Sequence, residues 1–157
     1  MKLKTKQKLV ILDKNYIKGH NENILLWNSY EEKKDQRSIL SILEKNSDEI
    51  RLDYLSFIAQ LGKIDFNNKN MVEHLKIDDD FSLWWMSLLS EKGTLKSKTP
   101  LNCLKIFSLN KILNEEQIKT VQLISKDRVI ATSINLLCKN LNIVFQWENT
   151  RTLYDRF

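Results

Sequence analysis

The chain has 157 residues, of which 42% are hydrophobic and 29% are charged. This composition fits one folded domain over residues 1–157 with a real core, and it excludes a disordered polypeptide. The formal net charge of +5 suits an anionic partner such as a nucleotide phosphate, a lipid headgroup or a nucleic acid.

The two cysteines and the amino terminus bear on the compartment. Cys103 and Cys138 fall in predicted helices and have no partner at metal-ligand spacing, so we interpret them as reduced core thiols. A basic start is followed only by the apolar residues 9–12 before Asp13, which is too short for an export signal. We therefore predict a cytoplasmic protein without a membrane-spanning anchor. The alternative is a cytoplasmic protein that is peripheral to the inner membrane.

Two short apolar runs near the amino terminus, residues 8–13 and 24–27, are typical of buried parallel strands. The second run ends in Asn28, Ser29 and Tyr30. Because loops at the carboxyl ends of parallel strands line the ligand crevice of an open sheet, all three are candidates for a site by position. We predict that Ser29 and Tyr30 bind the substrate. The alternative interpretation is a turn that only caps the next helix.

The next part of the chain has helical periodicity. Residues 36–46 and 48–61 each carry an apolar face, and Gly62 is the expected helix stop. Residues 71–75 predict one or two further helical turns.

The stretch from residue 78 to residue 113 organises the middle of the chain. Apolar residues recur there at the i, i+3, i+4, i+7, i+8 spacing of one helix face, which predicts a helix over 81–89. Thr99 followed by Pro100 predicts the start of a second helix that runs toward Leu113. The residues of the buried face are Phe81, Trp84, Trp85, Leu88 and Leu89.

The last third predicts a strand over 120–125, a helix that is capped by Asp127 and runs to about residue 140, and a strand over 143–147. Together they form a right-handed βαβ unit. The fold class is therefore α/β, with a small open and mainly parallel sheet of about four strands flanked by helices. Such a sheet has an exposed edge, so we also expect an oligomer or a partner that pairs with it.

The loop from Glu91 to Thr99 is the best phosphate-binding candidate. Lys92 and Lys96 supply positive charge, Ser97 supplies a hydroxyl, and the N–H groups of the following helix would face the same space. The alternative is a solvated basic loop.

The triplet Asp78, Asp79, Asp80 contains an Asp-x-Asp pair that could hold a divalent metal. We favour the alternative, in which these acids stabilise the start of the following helix. His20 and His74 form no pattern typical of nucleophilic catalysis, and the chain lacks a nucleic-acid-binding motif.

Four segments resemble the N-terminal part of a bacterial family of surface-carbohydrate (O-antigen-type) biosynthesis proteins, whose members are similar to two-domain glycosyltransferases of the GT-B kind. The segment FSLWWMSLLSEK is the most distinctive of the four. The segments are LLWNSYEEK (25–33), YLSFIAQLG (54–62), FSLWWMSLLSEK (81–92) and LNCLKIFSLNKIL (101–113).

The resemblance implies a Rossmann-like N-terminal half that receives the acceptor, while a C-terminal half outside this chain holds the nucleotide-sugar donor. It implies no bound metal or other cofactor, a lipid-linked glycan or nucleotide sugar as the partner, and an inactive fragment when this half is alone. Our hypothesis makes Glu91 the catalytic base and Lys92 and Lys96 the phosphate clamps, with Ser29, Tyr30 and Ser97 as further substrate-binding residues. The alternative function is a non-catalytic binding or assembly module of the same pathway.

Overall fold

The computed structural model describes residues 8–13, 23–30, 32, 36–87, 90 and 97–150. These ranges contain both strands and helices, with one short 3-10 helix at Leu83–Met86. In chain order the elements are β1 (Lys8–Leu12), β2 (Asn23–Leu26), β3 (Gln36–Ser38), α1 (Ile39–Lys45), α2 (Ser47–Gly62), β4 (Asp65–Phe66), β5 (Lys69–Asn70), α3 (Met71–His74), β6 (Lys76–Asp78), β7 (Phe81–Ser82), α4 (Thr99–Glu115), β8 (Thr120–Ile124), α5 (Arg128–Asn140) and β9 (Val144–Glu148).

The chain divides into two compact units. The first unit comprises Met1–Asn46 and Ser108–Phe157, and the second comprises Ser47–Phe107. The first contains β1, β2, β3, β8 and β9, whereas the second contains α2 and the short strands β4 to β7.

The first unit is built on a five-stranded sheet with the order β3-β2-β1-β8-β9. All four neighbouring pairs are parallel, which confirms the predicted α/β class with an open parallel sheet. None of the helices in the described ranges is long and apolar enough to cross a membrane.

The sheet has one strand more than the four that the sequence predicts, and that strand is β3. The prediction of a helix over 36–46 is wrong for its first three residues, which form β3. Gln36 and Ser38 pair with Ile24 and Leu26 of β2 and are buried despite being polar. The Ser38 side chain then accepts a hydrogen bond from the backbone N–H of Ser41 at 3.1 Å and caps α1. A polar tripeptide gives no apolar alternation, so only its pairing partner marks it as a strand.

The order of the strands reverses once. From β1 the chain adds β2 and then β3 on one side, and it later returns to add β8 and β9 on the other side of β1. In an open parallel sheet, ligands bind at the carboxyl ends of the two strands between which the order reverses. We therefore expect a ligand site at the carboxyl ends of β1 and β8.

The central strands and α5 supply the core of this unit. In β1, Leu9, Val10, Ile11 and Leu12 are all buried, because a parallel strand between two neighbours is covered on both faces. On α5 the residues at i, i+4 and i+8 are buried; these are Ile130, Ile134 and Cys138.

The predicted helix over 81–89 is absent from its described residues 81–87. Phe81–Ser82 forms a strand that pairs antiparallel with β6, and Leu83–Met86 forms the 3-10 helix. Only Trp84 of the predicted apolar face is buried, at 5% exposure, whereas Trp85 is 54% exposed. Leu88 and Leu89 lie outside the described residues.

The Ser82 side chain accounts for this local departure from helix. Its hydroxyl donates to the carbonyl oxygen of Val72 at 2.7 Å and accepts from the backbone N–H of Trp84 at 3.3 Å. Serine side chains compete with helical hydrogen bonds in this way. The segment is consequently held against α3, and Trp84 points into the core of the second unit.

That core centres on Trp84, Tyr54 and Ile58. A Cβ atom at Gly62 would lie 3.0 Å from the Trp84 Nε1 atom and 3.1 Å from the Val72 Cγ2 atom. Gly62 therefore does more than end α2, because its missing side chain gives the Trp84 ring its space. Partly buried apolar side chains surround the cluster: Leu61, Met71, Val72, Leu75, Cys103, Leu104 and Phe107.

We predict that Gly62→Ala lowers the free energy of unfolding by about 1–2 kcal/mol, because the added methyl group overpacks this core. The measurement is chemical denaturation followed by circular dichroism. In a Trp84→Phe background, which lacks the indole Nε1 atom, the same substitution should cost less. An equal loss of unfolding free energy in the two backgrounds would show that a methyl group at position 62 does not clash with the Trp84 ring.

Burial also changes the chemistry of a thiol in the first unit. Cys138 is fully buried, and this desolvation raises the pKa of its thiol to about 11. In the unfolded chain the thiol ionises at a lower pH, so the unfolded state gains stability first as the pH rises.

We expect the contribution of Cys138 to stability to be complete below about pH 8 and to be lost as the pH rises toward its folded pKa. The free energy of unfolding of the natural protein, relative to Cys138→Ala, should fall by on the order of 2 kcal/mol over that window. A difference that does not depend on pH would contradict a buried, protonated thiol.

Candidate functional site

The candidate site lies where β1 and β8 end side by side. Asp13 directly follows β1, and its backbone N–H donates to the carbonyl oxygen of Ile124 at 3.2 Å. Ser125 directly follows β8, and its backbone N–H donates to the carbonyl oxygen of Glu148 at 3.2 Å. Both side chains are thereby fixed at the carboxyl edge of the sheet, at the point where the strand order reverses.

The Asp13 carboxylate joins the ends of three strands. Its Oδ2 atom accepts a hydrogen bond from the Ser125 hydroxyl at 2.6 Å, and its Oδ1 atom accepts one from the Asn28 Nδ2 atom at 2.5 Å. Asn28 follows β2, and its Nδ2 atom also lies 3.3 Å from the Asp13 carbonyl oxygen. Hydrogen bonds to a charged acceptor are among the stronger ones in proteins, so the carboxylate is held in one orientation. We call Asp13, Asn28 and Ser125 the switch-point cluster.

Ser125 is the buried anchor of the switch-point cluster, with 1% exposure. Its hydroxyl donates to Asp13 and accepts from the backbone N–H of Asp127 at 3.0 Å. Its carbonyl oxygen accepts from the indole N–H of Trp147 on β9 at 2.9 Å. The Ser125 hydroxyl therefore positions the Asp13 carboxylate at the carboxyl edge of the sheet.

The amino-terminal end of α5 lies next to the cluster along the chain. The Asp127 Oδ1 atom accepts from the backbone N–H groups of Val129 at 2.8 Å and Ile130 at 3.1 Å. This is an N-cap, as the sequence predicts. The helix end therefore already holds a carboxylate of the chain itself.

Ser29 and Tyr30, predicted from the sequence, lie at the carboxyl end of β2 directly after Asn28. The Ser29 carbonyl oxygen accepts a hydrogen bond at 2.5 Å from the hydroxyl of Ser38, the residue that caps α1. Tyr30 is 65% exposed. The two residues are at the predicted edge, and whether they bind a substrate stays a prediction.

The other predicted site residues are those of the segment from Glu91 to Thr99, of which the structure describes residues 97–99. Ser97 lies two residues before Thr99, the first residue of α4. Its hydroxyl donates to the Thr99 hydroxyl at 3.0 Å and accepts from the Thr99 backbone N–H at 3.1 Å. Glu91, Lys92 and Lys96 lie outside the described residues, so their predicted roles remain predictions.

The aspartate triplet forms the turn between β6 and β7, and not the start of a helix. The backbone N–H of Asp79 donates to the Asp78 carboxylate at 2.6 Å, and the Lys76 ammonium lies 3.5 Å from the Asp79 carboxylate. Nowhere in the described ranges do three or more metal-ligating side chains come together. The triplet is thus a hairpin turn with local hydrogen bonds.

Sequence reasoning singled out Asn28 but missed Asp13 and Ser125 as site residues. Each directly follows an apolar strand, and an acid or a hydroxyl in that position can be recognised in the sequence as a candidate site residue. Their proximity, however, depends on β8 pairing with β1, and the order of strands cannot be read from either segment alone.

Comparisons with known proteins identify no relative, because no protein-family model, no curated protein and no solved structure matches the chain.

We predict that Ser125→Ala lowers the free energy of unfolding by about 1–3 kcal/mol. The substitution removes two hydrogen bonds of the Ser125 hydroxyl, the one from the Asp127 backbone N–H and the one to the Asp13 carboxylate. Ser133→Ala, at a partly exposed position on α5, is the matched control and should change stability by less than about 0.5 kcal/mol. Chemical denaturation of the two variants makes the comparison. Equal losses would show that the Ser125 hydroxyl is not an anchor.

Proposed function

We propose that the chain is the acceptor-side half of a GT-B-like glycosyltransferase in bacterial surface-polysaccharide synthesis, acting in the cytoplasm at the membrane surface. The observation that supports this most is the switch-point cluster at the carboxyl edge of an open parallel sheet. A carboxylate held between an amide and a hydroxyl at that point is typical of an edge that binds a small polar ligand.

The resemblance of the four sequence segments supports the same proposal, because it implies a Rossmann-like half, and the parallel sheet agrees with that fold class. In this proposal the acceptor rests against Asp13, Ser29 and Tyr30. Glu91 is the base that takes the proton of the acceptor hydroxyl. Lys92 and Lys96 offset the charge of the diphosphate leaving group.

A binding or assembly module without transfer activity is the second candidate. It is favoured by β9, which is an outer strand of the sheet as described, with Val144 59% exposed. An outer strand can pair with a strand of another chain. Mass measurement in solution separates the candidates, since a stable oligomer with no transferase activity supports the module.

The test of the transferase proposal is sugar transfer by the full-length protein, assayed with a panel of nucleotide sugars and membrane-extracted lipid acceptors. We predict that Lys92→Ala and Lys96→Ala each lower the transfer rate at least about tenfold, because removing a charge that stabilises the leaving group costs at least about 1.4 kcal/mol in the transition state.

The matched control is Lys63→Ala, an exposed lysine after α2, which should leave the rate within about twofold of the natural protein. Unchanged rates in the Lys92 and Lys96 variants would remove this loop from the reaction. Absence of any sugar transfer across the panel would contradict the transferase proposal itself.

A further inference from the structure

We propose that the switch-point cluster binds the hydroxyl groups of a neutral sugar, and that it does not bind phosphate. This inference rests on the proposed function, because it takes the cluster to be the place where the acceptor rests. It goes further in naming which part of the acceptor is held there.

The first support is the hydrogen-bonding capacity of Asp13. Each of its carboxylate oxygens accepts one hydrogen bond within the described part of the chain, from Asn28 or Ser125. A carboxylate offers about four lone-pair sites, so each oxygen can accept one more donor. Two neighbouring hydroxyls of a sugar are donors with the spacing to use both oxygens. A phosphate, which mainly accepts hydrogen bonds, is repelled by the same group.

The second support is the state of the α5 amino terminus. A helix end binds phosphate through its unpaired N–H groups, but here the Asp127 carboxylate already accepts from Val129 and Ile130. A phosphate would have to displace a charged cap and then sit beside Asp13. Both acids therefore disfavour an anion at the edge where dinucleotide-binding folds usually hold one.

The third support is the aromatic side chain beside the cluster. Trp147 is 39% exposed while its indole N–H is bonded to the Ser125 carbonyl oxygen. Part of its ring is thus available at a fixed position. Sites for small ligands combine such apolar rings with a few placed polar groups, and the C–H face of a sugar ring matches this arrangement.

The test is nitrogen-15 NMR of the full chain, which reports on two groups in the cluster: the Trp147 indole N–H and the Asn28 side-chain amide. Glucose, galactose and N-acetylglucosamine are titrated in parallel with inorganic phosphate and uridine diphosphate. We expect at least one neutral sugar to shift both signals saturably, with a Kd of about 1–10 mM, and phosphate to shift neither.

Asp13→Asn preserves the shape of the side chain, removes its charge and exchanges one acceptor for a donor, so it should weaken sugar binding at least about tenfold. Asp13→Ala should do the same, and Asp53→Asn, an exposed acid on α2, is the matched control that should leave the Kd unchanged. The Trp147 signal in the absence of sugar shows whether each variant keeps the fold around Ser125.

Two results would overturn the inference: phosphate or uridine diphosphate shifting these signals while the sugars do not, or no probe shifting them at all. The proposed function is tested separately, by the transfer assay. Sugar binding without transfer would leave this inference standing and the transferase proposal refuted. If the full-length protein transfers sugar but no probe shifts the Trp147 and Asn28 signals, only this inference is refuted.

Discussion

The parallel pairing of β1 with β8 is the contact on which the rest of the first unit depends. Lys8 to Leu12 align with Thr120 to Ile124 without a break, so the two strands end level with each other. Asp13 and Ser125, which are 112 residues apart in the sequence, then meet through a hydrogen bond of 2.6 Å. Closing so long a loop costs chain entropy, and the burial of both strands offsets it.

The position of this pairing also decides where polar groups can be placed. The last residues of β1 and β8, Leu12 and Ile124, are apolar, and the residue that follows each of them, Asp13 or Ser125, is polar. There the Ser125 hydroxyl is buried at almost no cost, because it both donates and accepts a hydrogen bond. The cluster thus stabilises the fold and also holds a partly exposed carboxylate in a fixed position, which is the combination that a binding edge needs.

The sequence predicts those parts of the fold whose pattern is local. The strand runs at 8–13 and 120–125 and the helix capped by Asp127 are confirmed, because apolar runs and a cap residue act over a few neighbours. Gln36–Ser38 and Phe81–Ser82 were not predicted as strands. In both, pairing with a neighbouring strand outweighs the local preference, and for the second a serine hydroxyl also replaces the helical hydrogen bonds. The candidate site is predictable only in part for a related reason, since strand order brings its members together.

The central claim is that Asp13 and Ser125 act as one unit across the β1 and β8 ends, and a double-mutant cycle on stability tests it most directly. Unfolding free energies are measured for the natural protein, Asp13→Ala, Ser125→Ala and the double variant. We predict a coupling energy of about 1–3 kcal/mol between the two positions, because the side chains share a hydrogen bond to a charged acceptor. Additive losses, with a coupling energy near zero, would contradict the account.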